Sequence, residues 1–242
     1  LFTPEESLAQ FKLAPGFKIE LVAHEPMVKD PVFIEWDDEG RMWVGELRTY
    51  MMDLDGSGEN KRMSRVMVLE DTDGDGVMDQ ATPFLEDMLN VRSIAFVDGG
   101  VLVVETGGLW FCKDKDGDLR CDERKKLFDF ATSAKDNIEH AENGLHFALD
   151  NWMYNSKSSR KLAWRKGKLI EMPAKARGQW GMGSDAYGRL FFNHNGQWFE
   201  TDWAMYDRQW PSQGESVKAP TNRVFAVRPN TALNRNYRPG RI

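Results

Sequence analysis

Positive charge is in short supply in this chain of 242 residues, with 32 Lys and Arg against 38 Asp and Glu for a net charge of −6. That balance argues against a nucleic-acid binder, because a phosphate backbone calls for lysine and arginine in excess. Long apolar runs are missing too, and none approaches the roughly 18–20 residues of a membrane span. There is no G-x-S-x-G elbow, no Walker loop and no C-x-x-C-H haem attachment. Gly181-Met182-Gly183 lacks the third glycine and the strand-to-helix setting of a dinucleotide loop, so NAD is not expected. Cysteine is down to Cys112 and Cys121, which bracket an acidic loop. They either pin the two sides of that hairpin together or stay as two unpaired thiols. The chain opens at Leu1 without a signal peptide and ends on N-Y-R-P-G-R-I without a recognisable stop, and it is expected to be a piece of a longer protein.

What is present is a strand-rich, folded composition. Hydrophobic residues make up 41% and aromatic residues 12%, enough for one large core. Residues 1–16 read as a leader with a short helix begun at Thr3 or Pro4 and stopped by Pro15-Gly16. F-K-I-E-L-V-A (17–23) alternates and reads as a strand. A hairpin pattern then recurs at 32–44, 93–104, 144–154 and 181–192, an apolar strand, an Asp/Gly turn and a second strand, with Asp38, Asp98, Asp150 and Asp185 aligned as the turn residues. Further strands are expected at 65–70, 109–113, 161–165 and 223–228. About four strands per repeat with almost no helix predicts an all-β fold, a β-propeller over 17–242. A β-sandwich also suits short strands but would not require the same turn residues to return.

Two acidic loops have the spacing of calcium ligands. D-T-D-G-D-G-V-M-D places Asp71, Asp73, Asp75 and Asp79 at positions 1, 3, 5 and 9, with the Val77 carbonyl at 7 and Gly76 at the turn. Thr82 stands where a position-12 glutamate is usual. The second loop repeats the spacing with Asp114, Asp116, Asp118, the Arg120 carbonyl and Asp122, but with Leu119 in the glycine place. Solvated acidic turns are the bland alternative. Weak binding, ~10⁻⁴–10⁻³ M as in extracellular modules, would point outside the cytosol, to the periplasm or beyond. M-D-L-D-G-S-G-E-N (52–60) reads as a plain loop.

The entrance to the third hairpin, His140, Glu142 and Asn143, is polar and does not repeat elsewhere. A histidine there can act as a general base if the fold turns it to a pocket, and otherwise it merely bonds a loop. His146 reads as a core or partner-facing histidine, His194 as either pocket lining or a hairpin turn, and His24 as a loop residue. Trp43, Trp110, Trp152, Trp180, Trp198, Trp203 and Trp210 are expected to pack sheets more often than to platform sugars.

L-A-P-G-F-K-I-E-L-V-A-H-E-P, D-P-V-F-I-E-W-D-D-E-G-R-M-W-V-G-E-L-R-T-Y, V-L-E-D-T-D-G-D-G-V-M-D and E-N-G-L-H-F-A-L-D-N-W-M-Y, in this order, resemble the propeller of the large membrane-bound dehydrogenase proteins of planctomycetes and verrucomicrobia. Those are related to sorbosone and soluble glucose dehydrogenases, six-bladed propellers that use pyrroloquinoline quinone (PQQ). The resemblance implies oxidation of a sugar or another alcohol, with electrons passed to a cytochrome c. It implies His140 as base and Arg177 as the cation facing the quinone, and assigns Gln179, Glu46, Arg48 and Asn143 to cofactor binding. Gln179 stands one place nearer its arginine than in the related enzymes. The alternative is a calcium-stabilised propeller without catalysis that binds carbohydrate or a protein.

Overall fold

The computed structural model describes residues 2–130, 140–194, 197–202 and 221–223. Apart from one short helix, α1 (Pro4–Leu8), the named elements are strands. They form four antiparallel sheets of four strands, each hydrogen-bonded in chain order. The first contains β1 (Pro31–Trp36), β2 (Met42–Glu46), β3 (Ser64–Glu70) and β4 (Gln80–Met88). The second contains β5 (Val91–Val97), β6 (Gly100–Glu105), β7 (Gly108–Lys113) and β8 (Glu123–Phe128). β9 (Asn143–Phe147), β10 (Met153–Ser156), β11 (Arg160–Arg165) and β12 (Lys168–Pro173) make the third. β13 (Gly183–Ser184), β14 (Leu190–His194), β15 (Gln197–Asp202) and β16 (Thr221–Arg223) make the fourth.

Alternation along the strands explains why the sheets stack like propeller blades. Neighbouring side chains of a strand point to opposite faces, and here each face has its own core. Trp43, Val66 and Val68 join Val101 and Val103 between the first and second sheets. The intervening Leu102 and Val104 turn the other way and meet Leu145 and Met153 between the second and third. Tyr154, next to Met153, packs with Leu190 of the fourth. An inner strand buried on both faces must be apolar throughout, and V-L-V-V of β6 is. Each fully buried side chain of this size contributes roughly 1.5–3 kcal/mol. The all-β, propeller-like architecture follows, with four sheets described where the resemblance implied six blades.

All four recurring hairpins are the first hairpins of their sheets, but two of the aligned aspartates are not equivalent: the third hairpin's turn begins at Ala148, two places before Asp150, and the first begins one place before Asp38. Asp37, not Asp38, is the counterpart of Asp185. Both accept hydrogen bonds from the backbone amides two and four residues on, and from the side chain of the arginine at the latter place. The shared feature is a left-handed residue three places after the turn begins, Gly40, Asn151 and Gly188. The second sheet instead uses Asp98-Gly99, both at positive φ, a two-residue turn matched to strand twist.

Residues 17–23 form no strand in the structure, which corrects the sequence expectation. The segment lacks a ladder partner, yet its Val22 carbonyl accepts from the Met78 amide at 2.8 Å. The Cys121 amide makes the corresponding bond to Phe84 of β4 at 2.9 Å. The N-terminal segment therefore does for the first sheet what β4 does for the second, and Val22, Ala23, Met27 and Val28 cover its outer core. Helix α1 also ends earlier than expected, at Leu8 with Ala9 as C-cap; Thr3 and Glu6 form its capping box. The two cysteines are free thiols, Cys112 buried and Cys121 half-buried. Their mutual hydrogen bond lowers Cys121 to about 7 and, with burial, raises Cys112. Of the strand expected at 223–228, Arg223 closes β16 and residues 224–228 lie outside the described residues.

Candidate functional site

Among the described residues, buried polar side chains such as Glu46, Glu105, Asn143 and Asn155 gather at one end of the sheets, where first strands enter and second strands leave. The first strands of three sheets each carry an extra residue at that end, between Pro31 and Phe33, between Val91 and Ser93, and opposite Tyr154–Ser156. Such a bulge re-aims a side chain that regular pairing would bury against a neighbour. In β5 the extra residue is Arg92, which is buried, with its guanidinium 5.1 Å from the Trp180 ring centroid. That contact ties the second sheet to the turn leading into the fourth.

The third and fourth sheets are knotted together by residues the sequence had singled out. Asn143 donates to the carbonyls of Ala141 (3.0 Å) and Gln179 (2.9 Å) and accepts from the Gly181 amide (2.7 Å). Ser156 donates to the Gly181 carbonyl (2.9 Å) and forms a bridge with Arg177. Only glycine fits at 144: its φ is +68°, and a Cβ there would lie 3.0 Å from the Gly181 Cα. Arg177 is buried, with its guanidinium 4.8 Å from the Tyr154 centroid and a hydrogen bond to the Lys175 carbonyl (2.8 Å). Gln179 is buried beside it. Asn143, Arg177 and Gln179 are thus brought together.

Glu46 and Arg48 stand apart from that knot. The Glu46 carboxylate is fully buried and accepts from the Lys29 amide and from Arg65, with Arg48 Nε at 3.7 Å. Glu105 holds the equivalent place in the second sheet, accepting from the Leu89 amide, Arg62 and Trp110. The repetition marks a staple that fastens each incoming first strand. Sequence inspection did not single out Glu105, although L-V-V-E parallels W-V-G-E at the end of the preceding second strand.

His140 is exposed at the mouth of the third sheet, while Glu142 and Asn143 are buried. His146 shares a hydrogen bond with Ser184 Oγ (3.1 Å), and burial pushes its pKa down. His194 lies 3.4 Å from a Glu200 carboxylate oxygen, and His24 is an exposed loop residue bonded to the Glu25 carbonyl. Asp150, read as a turn residue, accepts from the Tyr154 hydroxyl (2.8 Å). Trp43 packs edge-on against Phe84 and Phe96, whereas Trp110 and Trp152 carry cations over their rings. The Trp198 side chain, Trp203 and Trp210 lie outside the described residues.

Several buried groups at this rim have no hydrogen-bond partner: Thr106 Oγ1, Glu142 Oε2 and both amide atoms of Asn155. Thr106 continues the face of β6 that carries Leu102 and Val104, and Asn155 the face of β10 that carries Met153. Both faces border the same core between the second and third sheets. Sequence gave no hint of Asn155, because its isolation appears only once its neighbours are placed.

The acidic loops follow β3 and β7 and share one hydrogen-bond scheme. Asp71 accepts from Gly74 and Gly76, and Asp114 from Gly117 and Leu119. Asp75 accepts from Val77 and Asp118 from Arg120. Asp79 accepts from Thr72 and Asp122 from Lys115. Leu119 has φ +64°, the conformation of Gly76 in the first loop, so the second loop closes without glycine. Carboxylate oxygens of Asp71, Asp73 and Asp79 lie within 4.8 Å of one another, as do those of Asp114, Asp116 and Asp118. Asp75 and Asp122 fall outside those groups. Backbone donors, Gly76 foremost, hold the Asp71 carboxyl below its ordinary value.

Fold and rim together define a propeller-like β-protein with a buried polar mouth. The chain belongs to the family described as a domain of unknown function, DUF7133, which matches residues 3–239. No curated protein matches it. Among solved structures it is similar to the PQQ domain of pyranose dehydrogenase from Coprinopsis cinerea (11% identity, TM-score 0.47, 84% of this chain and 50% of that one). A gluconolactonase from Xanthomonas campestris follows (15%, 0.44, 72% and 57%), as does a streptogramin B lyase (12%, 0.46, 75% and 54%). The chain spans little more than half the length of these structures.

Proposed function

We propose that this chain belongs to a quinoprotein-like dehydrogenase of the periplasm or cell exterior that oxidises a sugar or another alcohol and passes electrons to a cytochrome c. The reading is carried by the partnerless buried groups of Thr106, Glu142 and Asn155. Each such group costs roughly 1–3 kcal/mol unless something polar binds it. The Asn155 and Thr106 donors suit PQQ, whose carboxylates and quinone oxygens are acceptors, and Arg92 and Arg177 add fixed positive charge at the same rim, while the Glu142 carboxylate, an acceptor, suits a substrate hydroxyl. When bound, the quinone supplies a two-electron acceptor for hydride. His140, two residues from Glu142, would take the proton of the substrate hydroxyl. Arg177 would offset negative charge developing on the bound group. Calcium would sit in the two acidic loops, far too shallow in ligands for tight binding.

A second reading, a propeller that binds carbohydrate or a protein without catalysis, is favoured by one observation. His140 is exposed, and no hydrogen bond orients its ring among the described residues. Reconstitution with PQQ and calcium, followed by dye reduction over a panel of sugars, separates the two. The dehydrogenase reading expects turnover that falls at least ~100-fold in His140→Ala. PQQ binding without turnover on any sugar would leave only the binding reading. Failure of the full-length protein to bind PQQ would sink the quinoprotein assignment.

A further inference from the structure

At the other ends of the strands, away from the rim, a groove of about 720 Å³ runs between the second and third sheets. Phe111 and Trp164 lie in it as a stacked pair, centroids 4.8 Å and planes 14° apart, with Leu127 and Leu169 beside them. Lys113 of β7, Lys125 and Lys126 of β8 and Lys168 of β12 line its sides. Lys126 is committed to an ion pair with Asp129. Lys113, Lys125 and Lys168 make no ion pair among the described residues.

The groove's carboxylates each have a partner already and keep oxygens that can accept more bonds. Glu123 pairs with Lys115 and Glu171 with Arg160, both at 2.9 Å, while Asp98 accepts from Trp164 Nε1 at 3.2 Å. Lysine on an outer strand often only guards the edge against further pairing. That role accounts for Lys125 and Lys168, but not for Lys113, which lies one strand inward; Phe111 and Trp164 pack against the core between the sheets and also line the groove.

We infer that this groove binds an anionic polysaccharide built of carboxylate-bearing sugars. Sugar rings suit the apolar floor, their carboxylates suit the three ammonium groups, and their hydroxyls can donate to the interleaved Asp98, Glu123 and Glu171. A duplex nucleic acid fits less well. It carries about one charge per 1.7 Å, much denser than one carboxylate per sugar ring, so the net charge of −6 opposes it far more than a sparsely charged polysaccharide. The inference is independent of the chemistry proposed at the rim.

Affinity electrophoresis and calorimetry of the full chain against polygalacturonate test it, with neutral dextran and duplex DNA as controls. Both substituted residues are exposed, so Lys125→Glu/Lys168→Glu should keep the wild-type circular dichroism spectrum. Polygalacturonate should retard the wild type, dextran should not, and the double variant should bind at least about tenfold more weakly. No retardation at low salt, equal binding by wild type and variant, or DNA bound as tightly as polygalacturonate would each overturn the proposal.

Discussion

Asp37 accepts from the Glu39 and Arg41 amides, from Arg41 Nε and from the Trp43 indole, so one carboxylate fixes a turn and orients a core aromatic. Burial pushes its pKa up, but the bonds from Trp43 and Arg41 outweigh that and leave it lowered. A lowered folded value stabilises the protein above the unfolded pKa of about 3.9 and loses that contribution as pH falls through the folded one. Asp37→Asn should therefore cost about 1–2 kcal/mol at neutral pH and flatten the acid limb below about pH 4. Urea titrations at pH 3 to 7 would check both. Asp185→Asn should cost less, because its pair with Arg189 is more exposed.

At the scale of elements, the bulged first strands and the turns they meet carry the candidate site. Gly144 is the sharpest test of that geometry. Gly144→Ala must hold a positive φ and press a methyl against the Gly181 backbone. A loss of about 1–3 kcal/mol is expected, and Gly16→Ala, with nothing within 4 Å, isolates the φ component alone. A Gly144→Ala protein as stable as wild type would mean that the third and fourth sheets do not approach each other this closely.

For the molecule as a whole, stability should depend on calcium if the acidic loops bind it. With a dissociation constant of ~10⁻⁴–10⁻³ M, 10 mM calcium should add about 1.4–2.7 kcal/mol per site. That is a rise of several degrees in Tm, with magnesium much less effective and Asp71→Asn and Asp114→Asn each removing part of it. A Tm unmoved by calcium would return both loops to solvated turns. Among the described residues, Val22, Ala23, Met27 and Val28 pack on the outer core of the first sheet, and Ile34 and Trp36 remain more than half exposed. The second and third sheets have neighbours on both faces, so the unequal burial follows position in the stack.

The sequence by itself determined the strands, the repeat and both acidic loops, because each is written in local spacing: period-two apolarity, turn residues, alternating aspartates. Outer strands β4, β8 and β12 were less legible, being half-exposed and polar, with Pro83 inside β4. Residues 17–23 carried a strand's local pattern but no partner with which to pair. Asn143, Arg177 and Gln179 were legible as candidates, and only folding put them in one knot. Tertiary structure alone decided that Glu46 is a repeated staple, that Arg92 is swung by a bulge onto Trp180, and that Asn155 is buried without a partner. Those properties belong to distances between sheets, which no local pattern encodes.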